Sequence, residues 1–277
     1  MIWHAGPLFV KQGAEQKAYR TRWFNKMKAV WFLVKFFAAE EHADEFLNGK
    51  VYLNRLSYFK QMEAEEADGR PDRTEAVMCW WQPNDLTITI TVPELEQEIT
   101  ITKADLAGPV SMSADFHNHL HLFCTYAVYT DGFEIKDGQI DCEIEREAEL
   151  LDQIHVDERC FKFGKFAVII AFQPFIERIR SALTGMRHHA LGKLVDYYDE
   201  ATFHGEIAAK EIPFKKQKAF SYQREFRIAV NTETLGDDPL ILEVGSLADF
   251  SVKVEASKLN ELMQFKKDYY ASDPLTK

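Results

Sequence analysis

Two runs of strand length, both almost wholly apolar, restrict what this chain can fold into. Residues 29–37 read AVWFLVKFF and residues 166–172 read FAVIIAF. Short apolar runs rich in β-branched and aromatic residues are typical of strands buried within a sheet. Both runs are far shorter than the roughly 20 apolar residues that span a bilayer. We therefore expect a folded domain with no membrane segment.

The sequence after the first run predicts a helix, a strand and a second helix. A helical apolar face at 38–48 ends before Gly49, which suits the residue that follows a helix C-terminus. Residues 50–54 then form a short strand, and the second helix begins near Leu56.

Antiparallel strands are predicted further along the chain. Residues 86–92 and 98–103 alternate apolar and polar side chains, which favours a half-exposed hairpin. Other strands are expected at 120–129, 193–198, 225–231 and 240–244, and helices at 174–185 and 256–265. Since strands and helices do not alternate regularly, we predict an α+β fold with mixed, largely antiparallel sheets flanked by helices. One domain at 29–270 is expected after an arm at 1–28, and the hairpin region 83–110 could be an insertion.

Charge and cysteine content narrow the choice of partners. The 277 residues carry a net charge of −11, which disfavours a surface that coats nucleic acid. Residues 1–30 hold six basic residues and one acidic residue, which we interpret as a solvated basic arm or helix. The alternative is an arm that contacts a nucleic acid or an acidic partner, and nucleic acid is a possible partner only there. The four cysteines form no CxxC pair, and residues 1–28 lack the apolar core of a secretory signal. These features predict a cytoplasmic protein with reduced thiols.

The first candidate site is the segment around Gln223, Glu225 and Arg227. On a strand these three side chains share one face, and Phe226 and Ile228 point to the core. A glutamine and a glutamate on one face can bind ribose hydroxyls and stabilise positive charge at an anomeric carbon. The alternative is a solvated or salt-bridged face with no chemistry.

The second candidate is the segment with His117, His119 and His121. In an extended chain the three imidazoles project to one side, and imidazole is a common ligand of transition metals. Same-face residues on a strand diverge by about 6–7 Å, so at most two could bind one ion. A polar strand face or loop is the alternative, and we predict no metal.

A third feature is the acidic segment at 63–75, which lacks the ligand spacing of a calcium loop. It contains the acidic residues Glu63, Glu65, Glu66, Asp68, Asp72 and Glu75. We interpret it as a solvated loop, or alternatively as a lid over a site. The Walker A, GxGxxG, HExxH and GxSxG motifs do not occur in the chain.

Three segments of the chain form a pattern in a fixed order. They are KFFAAEEHADEFLNGKVYLNRLSYFKQMEAEEADGRPDRTE at 35–75, KFGKFAVIIAF at 162–172, and LVDYYDE with IPFKKQKAFSYQREFRIAV at 194–230. This pattern resembles an uncharacterised family of bacterial and phage proteins. The order of the segments is similar to the layout of ADP-ribosyltransferases. In that layout a first strand bears a ribose-contacting residue, a second bears an aromatic residue, and a late strand carries a catalytic glutamate.

This resemblance implies roles for particular residues. Glu225 would be the catalytic acid and Gln223 its companion, because transferases often carry the glutamate as Gln-x-Glu. Tyr52 or Tyr58 would stack on the nicotinamide. NAD would be the substrate, and a macromolecule would accept the ADP-ribose.

Two basic residues complete the implied NAD site. Lys35 stands where such enzymes carry His or Arg, and Arg227 follows the glutamate on the same strand. The resemblance also implies an ADP-ribosyltransferase-like fold and a role as a toxin or in phage–host conflict. The alternative hypothesis is a non-enzymatic module whose degenerate cleft binds a nucleotide or a protein.

Overall fold

A computed structural model describes residues 2–5, 28–66, 75–93, 96–136, 139–186, 188–263 and 265–268. Within these ranges no helix has the length and apolar character needed to cross a membrane. The α+β prediction is confirmed, since most strand pairs are antiparallel and helices flank them.

The strands are β1 (Ile2–Ala5), β2 (Lys28–Phe37), β3 (Lys50–Arg55), β4 (Val77–Trp81), β5 (Ile88–Val92), β6 (Gln97–Ile101), β7 (Val110–Ser113), β8 (His121–Asp131), β9 (Glu134–Lys136), β10 (Gln139–Asp141), β11 (Phe166–Ala171), β12 (His189–Leu194), β13 (Asp196–Tyr198), β14 (Gly205–Glu206), β15 (Lys215–Gln217), β16 (Glu225–Asn231), β17 (Leu240–Glu243), β18 (Ser251–Glu255) and β19 (Phe265–Asp268). The α-helices are α1 (Glu40–Leu47), α2 (Leu56–Glu66), α3 (Glu147–Ile154), α4 (Phe172–Met186) and α5 (Leu259–Leu262).

One eight-stranded sheet organises the fold. Its main path runs β12-β16-β8-β2-β11-β18, with every neighbouring pair antiparallel. The strand β3 joins β8 beside β2 and carries β17 on its other edge. Both apolar runs of the sequence, now β2 and β11, therefore lie side by side in the interior of the sheet, as their composition predicts.

The two faces of this sheet differ in what covers them. We call one the helix face, because Leu33, Phe123 and Phe226 pack there with side chains of α1 and α4. We call the other the ionic face, because it carries the charged residues Glu225 and Arg227 between two smaller apolar clusters. The period-2 alternation of strand side chains sets this division.

Most predicted elements of the sheet are present with small changes in their bounds. The helix before Gly49 is confirmed, and Gly49 has a φ of +99°, which a glycine adopts at low cost. An added Cβ there would lie 2.2 Å from the carbonyl oxygen of Gly245, so the close approach also requires glycine. The strand expected at 193–198 was wrong as a single element, because it divides into β12 and β13 in different sheets.

Smaller sheets surround the central one. The predicted hairpin is confirmed as the two-stranded sheet β5–β6, and β4 pairs with β7 and β14 in another. The strands β13 and β15 form a short parallel pair. Within the predicted basic arm, β1 pairs with β10 and β19, while residues 6–27 lie outside the described residues.

Candidate functional site

Four charged side chains meet on the ionic face and are buried together. Arg227 donates from Nε to Glu225 Oε2 at 2.7 Å, and from Nη1 and Nη2 to the two carboxylate oxygens of Glu75 at 2.5 and 3.1 Å. Lys216 Nζ lies 3.0 Å from Glu225 Oε1 and 3.7 Å from Glu75 Oε2. We call these four residues the ion cluster. Its two carboxylates and two cations balance in charge.

Gln223 lies against the ion cluster. Its Oε1 accepts a hydrogen bond from Lys216 Nζ at 2.9 Å, so one ammonium binds Gln223 and Glu225 together. The exposed fractions are 9% for Gln223 and 8% for Glu225, against 1–3% for Arg227, Glu75 and Lys216. Gln223 and Glu225 are therefore the least buried members of this group, and we call them the rim of the cluster.

Electrostatic coupling keeps the cluster ionised. Burial alone would raise the pKa of Glu225, but Arg227 and Lys216 outweigh burial and lower it to about 2. The pKa of Glu75 is also lowered, since the attraction of Arg227 and Lys216 exceeds the effect of burial. Burial would lower the pKa of Arg227, yet the two carboxylates raise it. At neutral pH the rim therefore presents a carboxylate.

The short parallel pair β13–β15 places Lys216 in the cluster and brings one further group, Tyr197, to the rim. Tyr197 and Lys216 are direct partners in this pair, and parallel partners face the same way. The phenol oxygen of Tyr197 accepts a hydrogen bond from the backbone N–H of Glu225 at 2.9 Å. Burial, and then the charge of Glu225, raises the pKa of Tyr197, so the phenol stays neutral.

The predicted strand geometry of Gln223 was wrong. Gln223 ends a 3-10 helix at Lys218–Gln223, and β16 begins only at Glu225. Between them, Arg224 takes the left-handed conformation with φ 41° and ψ 45°. This turn, and not strand alternation, brings Gln223 beside Glu225. For Glu225 and Arg227 the predicted shared face is confirmed.

Two strands, β2 and β3, pair with different parts of the same edge of β8 and leave a gap between them, which we call the fork. The last β2–β8 pair is Val34 with Tyr126, and β3 meets β8 only from Asn54 with Leu122. In the described part of the chain, the intervening residues 123–125 of β8 have no strand partner on this edge. The strands β2 and β3 thus separate beside Cys124 of β8, which is the strand partner of Arg227 on β16.

Lys35 reaches the fork from the other side of the sheet. It pairs with Val168 on the helix face, and its Nζ lies 5.0 Å from the ring centre of Phe123. The same Nζ donates to the carbonyl oxygen of Cys124 at 2.9 Å. Burial lowers the pKa of Lys35, while Cys124 and Glu225 oppose that shift. The Lys35 side chain thus leaves β2 on the helix face, and its ammonium lies at the fork, where the charge of Glu225 still acts on its pKa.

The two tyrosines implied by the resemblance occupy different elements. Tyr52 lies on β3, two residues before Asn54, whose partner Leu122 is on the ionic face. Tyr52 therefore shares the face of Glu225 and is 40% exposed. Tyr58 lies on α2, is 44% exposed and packs edge-on against Phe59. Among the described residues, no hydrogen bond or ring contact joins either tyrosine to the ion cluster.

The histidine segment is not the extended strand that we expected. His117 ends a 3-10 turn at Asp115–His117, His119 lies in the next turn, and only His121 belongs to β8. Burial, followed by nearby positive charge, lowers the pKa of both His117 and His121. Across the described ranges, no three His, Cys, Asp or Glu side chains are placed to hold a metal ion.

Sequence reasoning missed two members of the cluster. Glu75 was assigned to a solvated loop, yet it is buried and ion-paired, which corrects that interpretation for this residue. Lys216 was one lysine among several in PFKKQKAF. The one local signal was the position of Glu75 directly before the apolar stretch AVMCWW, where a solvated carboxylate is out of place.

Comparison of this chain with known protein families, characterised proteins and solved structures finds no match.

Proposed function

We propose that this protein is an ADP-ribosyltransferase-like enzyme that uses NAD and transfers ADP-ribose to a macromolecular acceptor. The observation that carries the proposal is the rim of the ion cluster. There Glu225 is ionised, and Lys216 and Arg227 each donate a hydrogen bond to one of its carboxylate oxygens. Gln223 accepts a hydrogen bond from the same Lys216 ammonium. The layout that the sequence resembles uses the same pair of residues.

The rim suits a sugar with a developing positive charge. Each carboxylate oxygen of Glu225 has a lone pair left after its ion-pair contact, so it can accept a hydrogen bond from a ribose hydroxyl. The fixed negative charge would stabilise an oxocarbenium-like carbon in the transition state. Tyr52 shares this face beside the fork, which is consistent with a nicotinamide-stacking role.

The proposed reaction is a displacement at the anomeric carbon of the nicotinamide ribose. The bond from this carbon to the pyridinium nitrogen breaks, and its electron pair neutralises the pyridinium to give nicotinamide. A nucleophile of the acceptor forms the new bond to the same carbon and loses a proton to solvent or a base. Glu225 and Gln223 hold the ribose, while Lys216 and Arg227 orient Glu225.

Nicotinamide release and NAD binding together test the proposal. Wild type should release nicotinamide from NAD, whereas Glu225→Gln should bind NAD and release at least about a hundredfold less. Glu243→Gln is the matched control, because Glu243 is exposed at the end of β17. Thermal unfolding of each variant checks that it remains folded at the assay temperature.

Two results would contradict the proposal. One is wild-type protein that neither binds nor cleaves NAD at millimolar concentration. The other is equal nicotinamide release by wild type and Glu225→Gln.

A second candidate, a non-enzymatic binding module, is favoured by the charge balance of the ion cluster. Two cations already neutralise Glu75 and Glu225, so the cluster can serve mainly to hold β15 and β16 together. In that case NAD or another nucleotide would stabilise wild type and Glu225→Gln alike, and neither would release nicotinamide.

A further inference from the structure

Within the described ranges, three arginine side chains lie over aromatic rings, and two of them are neutralised. Arg146 lies 4.1 Å from the ring centre of Phe133 and forms two hydrogen bonds with the carboxylate of Glu149. Arg159 also lies 4.1 Å from a ring centre and binds the carboxylate of Asp157 in the same way. Stacking and ion pairing are combined at both positions, as guanidinium groups allow.

The third arginine has no such partner. Arg224 lies 3.9 Å from the ring centre of Tyr129, and Lys28 Nζ lies 5.2 Å from the same centre. Among the described residues, no carboxylate is within ion-pair distance of either cation. Asp131, the strand partner of Lys28, is the nearest acidic residue along β8, and it forms no ion pair with Lys28. Two cations therefore share one ring, and neither has an ion-pair partner among the described residues.

The backbone of Arg224 adopts a conformation that is unfavourable for an arginine. Its φ of 41° belongs to the left-handed region, which costs an arginine more than a glycine. The guanidinium donates from Nη2 to the carbonyl oxygen of Tyr129 at 2.6 Å, but its buried Nε has no partner in the described part of the chain. Glycine would suit this turn, so an arginine here points to a use for the side chain.

We propose that Tyr129, Arg224 and Lys28 form an anion-binding site that takes a phosphate group. The planar guanidinium offers paired N–H donors to phosphate oxygens, and the nearby ammonium adds a second positive charge. Binding of the anion would give both cations an ion-pair partner. The attraction is local, because the protein as a whole carries a net charge of −11. The ring of Tyr129 holds the cations in place.

This site is distinct from the rim of the ion cluster. Tyr129 packs with the apolar cluster of the helix face, whereas Glu225 lies on the ionic face. The proposal therefore needs no activity toward NAD, and failure of one leaves the other testable.

Calorimetric titration with inorganic pyrophosphate tests the site. Arg224→Gly is the informative variant, because it removes the guanidinium and also relieves the left-handed backbone. Arg159→Gln is the matched control, since Arg159 stacks on a ring but is already neutralised. We expect saturable binding by wild type and Arg159→Gln, and a dissociation constant about tenfold higher or more in Arg224→Gly. Lys28→Met should weaken binding by a smaller factor.

A single-stranded DNA oligonucleotide distinguishes the two sources of phosphate. If nucleic acid is the source, the oligonucleotide binds, and Arg224→Gly reduces the salt dependence of its affinity by about one charge. If a small phosphate compound is the source, pyrophosphate binds and the oligonucleotide does not. The proposal is overturned if wild type binds neither probe, or if Arg224→Gly binds pyrophosphate within about twofold of wild type.

Discussion

The two faces of β16 bury their side chains by opposite means. On the helix face, Phe226, Ile228 and Val230 join one apolar cluster. On the ionic face, Arg227 is 1% exposed and is held by Glu225 and a second carboxylate. One strand thus carries both kinds of burial at alternate positions.

The difference lies in how each face tolerates the loss of a partner. An apolar side chain that is shortened loses contact area and leaves a small cavity. A buried ion whose partner is removed stays in a medium that solvates it poorly, and this costs more. The stability of the ionic face therefore depends on particular partners, whereas a shortened side chain on the helix face costs less stability.

Removing Arg227 should give the largest effect. Arg227→Met leaves Glu75 and Glu225 buried with only Lys216 to neutralise them, so we expect a loss of about 3–5 kcal/mol in the free energy of unfolding. Urea denaturation at pH 7 measures this loss.

Ile228→Val is the matched change on the opposite face of the same strand. It removes one methylene group and should cost about 0.5–1.5 kcal/mol. Equal losses in the two variants would show that the ion cluster is no more demanding than the apolar face.

Acid should weaken the ionic face selectively. The pKa of Glu225 is lowered to about 2 in the folded protein, against about 4.3 in an unfolded chain. Its contribution to stability is therefore present above the unfolded pKa and is lost as pH falls from about 5 to about 2. A shift of roughly two pKa units corresponds to about 3 kcal/mol.

Glu225→Gln isolates this contribution. Its unfolding free energy should fall less than that of wild type over the same pH range, because the titrating carboxyl is gone. Denaturation curves at stepwise pH values measure the difference between the two proteins. Parallel pH profiles would mean that other carboxylates carry the acid sensitivity.

The sequence predicts the helix face well, because its signal is local. The alternation along 225–231 places Phe226 and Ile228 in the core. The apolar run at 166–172 supplies β11, an interior strand of the sheet. Gly49 ends α1 as expected. Each of these features depends on neighbours within a few residues.

The ionic face depends on residues that are distant in sequence. Glu75 binds Arg227 across 152 positions, and no local pattern connects them. Lys216 reaches the rim only because β15 pairs with β13, and Gln223 only because Arg224 adopts a left-handed turn. The periodicity of apolar residues carries no information on contacts between distant segments. The sequence therefore indicated Glu225 and Arg227 but not their partners.

Substitution of Lys35 should have the smallest effect on stability. It tests the comparison between the two faces directly, because Lys35 is a cation on the apolar helix face. Its ammonium makes one hydrogen bond, to the carbonyl oxygen of Cys124, and burial lowers its pKa. Methionine has a similar length, and its sulfur suits the neighbouring ring of Phe123. The loss of one hydrogen bond is offset by the removal of a buried charge, so Lys35→Met should change the unfolding free energy by no more than about 1 kcal/mol.

The same variant separates structure from ligand binding. If Lys35 acts only within the sheet, Lys35→Met should bind NAD as wild type does, because its ammonium serves only to bind the carbonyl oxygen of Cys124. If its ammonium contributes to an NAD site through the fork, affinity should fall with little change in stability. A loss of stability comparable to that of Arg227→Met would instead show that the helix face, too, depends on a specific ionic contact, and the contrast between the two faces would not hold.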